Sequence, residues 1–474
     1  MSTKSAIPLA PGSLPLLGHT IQLLRNPLSF LEQHHSSEGI VHLRLGPSHI
    51  YLVASPELVR TMLVSNKQSF DKGGAFVDAI RILIGNGVGT CSNDEHRRQR
   101  PMLNPAFHRD RVAEYGTIMQ SCAVEMASRW VDGTTVDVIA NARELSTRII
   151  YRTLFNTKAG KETAEDVERS LPILFDGLFR RMILPPLLNK IPTRANRRFE
   201  AAKKRVSDAV YRSIAENRAK PEGTGDLLSD LVRARDKEGQ ALTDLEVHDQ
   251  VMTIFFAGTE TTADALGWQF YQLSQNPDAQ DRLYAELCDV LGDRDATVAD
   301  LPNLPYLYRL VTESLRISAP SWLLSRMASA DTVLGGYTIP RGANILFSAY
   351  CMHRMEDLYA DPRTFDPDRW LPERTDRRQR DLYMPFGAGT RKCIGDNYAF
   401  TELSLSMAAV IKRWRLTLVG DEHTKPILRV SLSPSALSMV VERRAPAPPR
   451  SPDGQRSHQD ATNGSCPVSH TPTG

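Results

Sequence analysis

The chain has 474 residues, of which 41% are apolar and 24% are charged, as in ordinary globular proteins. This composition excludes a wholly disordered, collagen-like or fibrous chain, and the length is enough to bury a large core. Lys and Arg number 58 against 55 Asp and Glu, and this balance argues against a basic surface that binds nucleic acid.

The first part of the chain is predicted to be extended and then to form a hairpin. Residues 1–18 are rich in proline, which opposes a continuous helix. They lack a secretory pattern, and no run of about 18 apolar residues follows anywhere, so we expect no membrane anchor and a cytoplasmic protein. Leu43–Leu45 and His49–Ala54 are β-rich runs on either side of Gly46-Pro47-Ser48, which predicts a hairpin.

The middle of the chain is predicted to be mostly helical, from Glu57 to about residue 290. One helix can run from Leu245 to about Gln275, where Asn276-Pro277 ends it. At 1.5 Å per residue it would be roughly 46 Å long, against a radius of gyration near ~23 Å for a compact chain of this length. Its centre, Ile254 to Gly258, is apolar on every side, which predicts a buried helix that crosses the molecule.

Strand patterns return late in the chain. They lie between Asp331 and Phe347, and a long irregular segment with prolines from 362 to 385 follows. A last helix is predicted from near Ile394 to Trp414, with strand-like runs to Val441.

The sequence predicts one folded domain. No change of composition divides residues 19–443, so we expect a single domain there, preceded by the lead-in of residues 1–18. Residues 444–474 are rich in Pro, Ser, Gly and charge, which predicts a disordered tail.

One of six scattered cysteines lies in an unusual segment. No two cysteines have the Cys-x-x-Cys spacing of a zinc site, and a disulfide framework is not expected in a chain this long. Cys393, in contrast, follows several glycines and precedes a predicted helix, whose N-terminus stabilises a thiolate. Such a thiolate can bind iron, whereas an isolated cysteine in a glycine-rich loop is more often a small buried side chain.

The residues around Cys393 fit the pattern Phe-x-x-Gly-x-Arg-x-Cys-x-Gly at every fixed position. This segment resembles the haem-binding signature of the cytochrome P450 family. The resemblance implies a mainly α fold with small β-sheets, shaped as a triangular prism, with the long helix over a haem b (iron protoporphyrin IX). It implies Cys393 as the axial iron ligand, Phe386 beside the thiolate, Gly389 in the cofactor loop and Arg391 at a haem propionate.

A second match concerns an ion-pair cluster. Glu313-Ser314-Leu315-Arg316 fits the Glu-x-x-Arg motif of that family, and residues three apart on a helix share a face. Phe365 to Trp370 resembles the later motif that contributes Arg369 to this pair. The resemblance implies a structural cluster of Glu313, Arg316 and Arg369; taken alone, Glu-x-x-Arg would be an exposed helix ion pair.

A third match lies in the long helix, at Ala257-Gly258-Thr259-Glu260-Thr261-Thr262. Threonines compete for backbone hydrogen bonds and are poor residues within a helix. In the family this helix is kinked over the haem, and the resemblance implies that Thr261 orients dioxygen and water while Glu260 relays protons. The alternative is a structural bend rich in threonine.

Cations for the haem propionates are predicted at three further positions. His96 and Arg100 are four residues apart and share one helix face, although many relatives have Trp in place of His96. Arg326 matches the family's arginine at the strand beside the haem. Each of the two arginines, taken alone, is more often a solvated surface residue.

The substrate is expected to be hydrophobic. Segments that line the distal pocket in the family are apolar here, namely Phe76–Val88, Leu171–Leu188, Phe255–Phe256, Ser321–Leu324 and Ser431–Leu437. Several other stretches, including Phe70 to Gly74, resemble bacterial members that oxidise cyclic sesquiterpenes such as pentalenene. We expect hydroxylation of an unactivated C–H bond, or oxidation on to a carbonyl, in terpenoid biosynthesis; a polyketide, fatty acid or steroid substrate is the alternative.

Electrons are expected to come from another protein, because no dinucleotide, flavin or iron–sulfur pattern is found. The resemblance implies a ferredoxin and its reductase, docking near Cys393 on Arg97, Arg98 and Lys392, and we expect a monomer. A peroxygenase or isomerase of the same fold is a second interpretation. A non-enzymatic haem sensor or carrier is a third, and the Glu260–Thr261 pair disfavours both.

Overall fold

Helices make up most of the molecule. The structure is a computed structural model that describes residues 6–35, 39–155, 158–183, 188–189, 191–220, 225–420 and 424–445. The helices within these residues are α1 (Thr20–Arg25), α2 (Pro27–His34), α3 (Pro56–Arg60), α4 (Ala75–Ile84), α5 (Asn93–Leu103), α6 (Arg109–Ser128), α7 (Val138–Leu154), α8 (Lys158–Ile183), α9 (Arg194–Arg218), α10 (Leu227–Arg233), α11 (Asp244–Gln275), α12 (Pro277–Leu291), α13 (Pro305–Ile317), α14 (Ala349–Met352), α15 (Arg377–Leu382) and α16 (Asp396–Ile411).

The strands form small sheets at the edges of the helical body. They are β1 (Ile40–Leu45), β2 (Ser48–Val53), β3 (Phe70–Asp71), β4 (Thr134–Asp137), β5 (Leu324–Ala328), β6 (Thr332–Leu334), β7 (Tyr337–Ile339), β8 (Asn344–Phe347), β9 (Trp414–Leu418), β10 (Pro426–Leu428), β11 (Leu432–Pro434) and β12 (Ser438–Arg443). One sheet has the order β1-β2-β8-β5-β3, and another has the order β4-β12-β9. Strands β6 and β7 form a two-stranded sheet, and so do β10 and β11.

The long helix α11 organises the core. It begins with a capping box, in which Glu246 N–H donates to the Thr243 hydroxyl at 3.2 Å and the Glu246 carboxylate accepts from Thr243 N–H at 2.8 Å. It ends at Asn276, before Pro277, which cannot continue the hydrogen-bond ladder. Most of its side chains between these ends are buried, and it packs against α7, α9, α13 and α16. The prediction of a buried helix over these residues is therefore confirmed.

Other predicted elements also form. The hairpin is β1-β2, and its register pairs Leu45 with Ser48. The lead-in makes isolated bridges to this hairpin, Leu9 to His42 and Gly18 to Leu45. Among the described residues, no helix combines the length and apolar composition needed to cross a membrane.

Several elements differ from the predictions. The last helix ends at Ile411 rather than Trp414, because Trp414 begins β9 and its indole N–H donates to the Ala127 carbonyl at 2.8 Å. A strand, β4, interrupts the region predicted as helical, since its four residues pair with β12 about 300 positions later. The predicted irregular segment contains α15, whose start is stabilised by a capping box between Asp376 and Gln379. Most of the predicted disordered tail, residues 446–474, lies outside the described residues.

Candidate cofactor and active site

A cavity separates α11 from the loop that carries Cys393. Its volume is about 290 Å³. Cys393, Phe386 and Arg391 line one side. The side formed by α11 is lined by Ile254, Ala257, Gly258, Thr261, Thr262 and Ala265. The long helix and the cysteine signature, which are more than 100 residues apart in the chain, thus face one another across a single space.

The cysteine loop has a fixed backbone. The Cys393 N–H donates to the Phe386 carbonyl at 2.9 Å, which closes the loop before α16 begins at Asp396. Gly389 has φ +67°, and a Cβ there would lie 2.0 Å from the Leu63 carbonyl oxygen. Only glycine allows this close approach. Gly389, predicted to contact the cofactor, is not among the cavity-lining residues and acts here by letting the loop pack on residues 61–65.

The Cys393 side chain lines the cavity and is exposed to it. The protein around the cavity nevertheless desolvates the thiol. Burial raises the pKa of the Cys393 thiol, and the Gly395 N–H, Arg100 and Lys392 oppose that rise. A metal cation at this position would favour the thiolate further. This placement suits a ligand to a metal ion in the cavity.

Three cations converge on one edge of the cavity. Arg391 is held by Asp71 at 2.9 Å and donates to the Cys91 carbonyl at 2.8 Å. Arg326 is 5% exposed, and burial, together with the charge of Arg391, lowers its pKa to about 10. Burial and the charges of Arg326 and Arg391 also hold the pKa of Lys72 well below its usual value. Mutual repulsion among these three cations favours further anions beside them, in addition to Asp71.

Lys72 is a site residue that the sequence patterns did not single out. It belongs to the run Phe70 to Gly74, which resembles sesquiterpene-oxidising relatives but contains no cofactor motif. Because Lys72 follows β3, and β3 pairs with β5, the sheet brings it beside Arg326. This juxtaposition depends on long-range strand pairing and leaves no local pattern.

His96 and Arg100 lie on the cavity's flank rather than among its lining residues. The His96 side chain is buried, and its Nε2 has no hydrogen-bond partner. Burial and the nearby charge of Arg391 lower its pKa to about 3. Arg100 donates to the Lys392 carbonyl at 2.7 Å, next to Cys393. A buried ring nitrogen without a partner indicates that a further hydrogen-bonding group belongs here.

These residues fit a haem. A thiol facing a space beside glycines suits an iron ligand, and buried cations with an unpartnered histidine nitrogen suit two carboxylate side chains. The residues that would hold the cofactor are Cys393 at the iron and Arg326, Arg391, Lys72 and His96 at the propionates.

The opposite wall of the cavity carries Thr261. The Thr261 hydroxyl donates to the Ala257 carbonyl at 2.5 Å, and Thr259 makes the same type of bond to Phe255 at 2.7 Å. Both bonds run to the carbonyl four residues earlier, an arrangement that bends helices, while α11 stays helical throughout. Thr261 lines the cavity, whereas Thr259 is buried away from it.

Glu260 is adjacent to Thr261 but is not among the residues that line the cavity. It is 5% exposed, and its Oε2 has no hydrogen-bond partner. Burial, and then the carboxyl group of Asp264, raise the pKa of Glu260 to about 8. The group therefore holds its proton at neutral pH and can give it up, which suits an acid that supplies protons.

The structure brings Glu313, Arg316 and Arg369 together. Arg316 makes two bonds of 2.8 Å to the Glu313 carboxylate, and Arg369 lies 3.4 Å from it. Trp370 adds an indole N–H at 2.9 Å. Arg316 also donates to the His353 carbonyl at 2.7 Å and the Pro362 carbonyl at 2.8 Å, so the cluster holds the irregular segment that precedes the cysteine loop.

The segments predicted to line the distal pocket contribute unequally. Val88, Ser321 and Leu324 reach the cavity. Phe255 and Phe256 lie in the core, where Phe256 packs edge-on against Phe175. Part of the predicted segment Leu171–Leu188 lies outside the described residues.

Comparisons with known proteins identify relatives over most of the chain. A family model described as cytochrome P450 matches residues 8–440. Pentalenene oxygenase of Streptomyces avermitilis is 39% identical, covering 92% of this chain and 97% of the relative. Two proteins of Streptomyces melanosporofaciens are similar over 92% of this chain and 95% of each relative: cyclooctatin synthase at 40% identity and cyclooctat-9-en-7-ol 5-monooxygenase at 42%.

The fold also matches solved structures. The crystal structure of the cytochrome P450DA haem domain superposes with a TM-score of 0.84 at 26% identity. The match covers 94% of this chain and 99% of that one. The mainly α fold with small sheets, expected from the sequence, is thereby confirmed.

Proposed function

Since the chain belongs to the cytochrome P450 family and is a P450 monooxygenase, we propose that its substrate is a cyclic terpenoid. One oxygen atom of dioxygen enters an unactivated C–H bond, and further oxidation gives a carbonyl. The observation that carries this proposal is the identity of 39–42%, over 92% of the chain, to relatives named for pentalenene and cyclooctatin chemistry. We place the protein as a monomer in the cytoplasm of a bacterial cell.

The cofactor of the family is a haem, and we assign haem b in particular. Arg326, Arg391 and Lys72 supply cations and His96 supplies an unpartnered ring nitrogen, which together suit the two propionates of iron protoporphyrin IX. When bound, the haem supplies the iron that activates dioxygen with two electrons and two protons. Cys393 provides the thiolate ligand.

The chain's own residues bind the substrate and deliver protons. Val88, Ile254, Leu315 and Leu324 give the cavity apolar walls, which hold a hydrocarbon and exclude water. Thr261 places a hydroxyl group at the cavity surface, where it can donate a hydrogen bond once its bond to Ala257 is released. Glu260, protonated at neutral pH, lies behind it as the proton source.

Glu260 and Thr261 also bear on the competing functions. A haem sensor, a carrier or a peroxygenase needs no proton delivery during dioxygen activation. A protonated acid buried beside a cavity threonine costs free energy without a function in those cases. The pair therefore favours a monooxygenase.

The electrons come from a ferredoxin with its reductase, docking near Cys393. Lys392 is 42% exposed and Arg97 71% exposed, each beside an aspartate of its own helix or loop. Arg98, the third predicted docking residue, is held by Asp236 at 2.9 Å and by Glu246 at 2.5 Å, so it serves the fold. Lys392→Glu should slow reduction, especially at low salt, whereas Lys204→Glu, in a similar i,i+4 pair with Asp208, should not.

Substrate titration of the haem-loaded protein tests the terpenoid assignment. Pentalenene, cyclooctat-9-en-7-ol and a linear fatty acid are added in parallel, and the Soret band of the ferric protein is followed. A shift that saturates with either terpenoid, with product formed on addition of the redox partners, supports the proposal. Turnover of the fatty acid, with no shift or product from any terpenoid, would overturn it.

A further inference from the structure

A second buried carboxyl group lies one helical turn behind Glu260. Asp264 has no exposed surface, and it is four residues further along α11, so both side chains lie on one helix face. One carboxylate oxygen of each residue lacks a hydrogen-bond partner, namely Oε2 of Glu260 and Oδ1 of Asp264. Two carboxyl groups this close in a buried site favour sharing one proton over carrying two charges.

Polar contacts connect Asp264 to the surface. The Ser431 hydroxyl donates to Asp264 Oδ2. An Arg143 guanidinium nitrogen lies 3.6 Å from Asp264 Oδ1, and the Arg143 side chain is 42% exposed. The same guanidinium donates to the Ser433 hydroxyl at 2.9 Å. A polar path therefore runs from solvent at Arg143, on α7, to Asp264 on α11.

We propose that Asp264 is a proton-positioning residue that shares a proton with Glu260 and reloads it from solvent beside Arg143. When Glu260 releases the shared proton toward the cavity, solvent beside Arg143 delivers a proton to Asp264, and this proton passes on to Glu260. Each transfer moves one proton and changes no other bond. The inference rests on the proposed monooxygenase function, because the role given to Asp264 is to supply protons to Glu260, the proton donor of that reaction.

The charges around the pair support this arrangement. The groups that face Glu260 are Asp264 on its own helix, Arg143 on α7, Arg429 before β11, and Asp176 on α8. Arg429 and Asp176 lie 3.5 Å apart and largely offset one another. Burial raises the pKa of Asp264, while Ser431 and Arg143 oppose the rise. Glu260 can therefore lose or gain a proton near neutral pH, as a relay requires.

A purely structural role is the alternative, in which Asp264 only anchors Ser431 to α11. Asp264→Asn separates the two roles, since an asparagine oxygen still accepts the Ser431 bond but cannot carry a proton. Arg143→Gln, at a partly exposed position, provides a second variant that should fold. Arg129→Gln, which removes an arginine 46% exposed and paired with Glu144, is the matched control.

Infrared titration of the ferric, haem-loaded protein tests the proposal without any substrate. The protonated carboxyl band is followed with pH, and Glu260→Gln identifies the contribution of Glu260. We expect Asp264→Asn to lower the pH midpoint of the Glu260 titration by about one unit, a tenfold change in proton affinity. Arg143→Gln should raise this midpoint. Arg129→Gln should leave it unchanged.

Two outcomes would overturn the proposal. One is a Glu260 titration that stays in place in Asp264→Asn while the variant keeps its fold and haem. The other is opposite or absent movement in Arg143→Gln. Because neither measurement needs turnover, a failure of the terpenoid assignment would leave these results unaffected, and a failure here would leave that assignment standing.

Discussion

Arg316 and Glu313 form a bidentate ion pair, with both nitrogen–oxygen distances at 2.8 Å and neither side chain exposed. Arg316 uses its remaining donors on carbonyls of the segment before the cysteine loop. The pair thus joins α13 to the segment that precedes the Cys393 loop. The ion pair stabilises the fold only while both partners are present, because a single buried charge without a partner is strongly destabilising.

Glu313→Gln should lower the free energy of unfolding by about 3–5 kcal/mol and reduce haem incorporation, because it leaves Arg316 charged, buried and unpaired. Denaturant unfolding and the haem-to-protein absorbance ratio measure both effects. Asp208→Asn is the control, since it breaks the exposed pair with Lys204 and should cost less than about 1 kcal/mol. Equal losses in the two variants would contradict the role assigned to Glu313.

The parts of the site that the sequence predicts are those encoded by short spacings. Cys393, Phe386 and Arg391 fall within eight residues, and Glu313 and Arg316 lie within one helical turn, so pattern and contact coincide. The long helix was predictable because its apolar surface is continuous between a capping residue and a proline.

The remaining contacts depend on tertiary packing. Asp264 and Ser431 are 167 residues apart, and only the approach of β11 to α11 brings them together. Trp370 belonged to a recognised motif, but its bond to Glu313 follows from the turn of residues 367–370 rather than from the motif's spacing. No pattern within a single stretch of sequence records such contacts.

His353 should make stability depend on pH. It is fully buried, its Nε2 accepts the Met384 N–H at 3.1 Å, and burial lowers its pKa to about 3. Below pH 6.5 the unfolded chain therefore binds a proton at His353, whereas the folded protein keeps this side chain neutral. The free energy of unfolding therefore falls as the pH drops from 6.5 toward 3. Between pH 7 and 5 the loss should be about 2 kcal/mol.

The measurement is the free energy of unfolding at pH 7 and pH 5, compared between the natural chain and His353→Gln. Glutamine does not titrate, so the variant should be less stable at pH 7 but lose about 2 kcal/mol less on acidification. Other titrating groups are common to both proteins and cancel in the difference. An identical pH slope in the two proteins would show that His353 is not the group responsible.

Lys72 should contribute to haem retention. Its ammonium group is forced close to Arg326 and Arg391, so an anionic propionate there would relieve the repulsion of all three. Lys72→Gln should increase the rate of haem transfer to an apo-globin acceptor several-fold. Lys67→Gln, at an exposed position in a neighbouring turn, should leave that rate unchanged. If the unliganded Lys72→Gln protein is more stable while its haem leaves no faster, the cation has no part in cofactor binding.

Thr261 and Thr259 allow a matched test of proton delivery. Each hydroxyl donates to the carbonyl four residues earlier in α11, but only Thr261 lines the cavity. Thr261→Ala should therefore uncouple the enzyme, so that NADPH is consumed with hydrogen peroxide released and product yield falls about tenfold or more. Thr259→Ala removes an equivalent helix bond and should keep the natural ratio of product to NADPH. Peroxide and product are measured per NADPH with the redox partners present. Equal uncoupling in both variants would assign the effect to the helix backbone, and full coupling in Thr261→Ala would refute the role of its hydroxyl group.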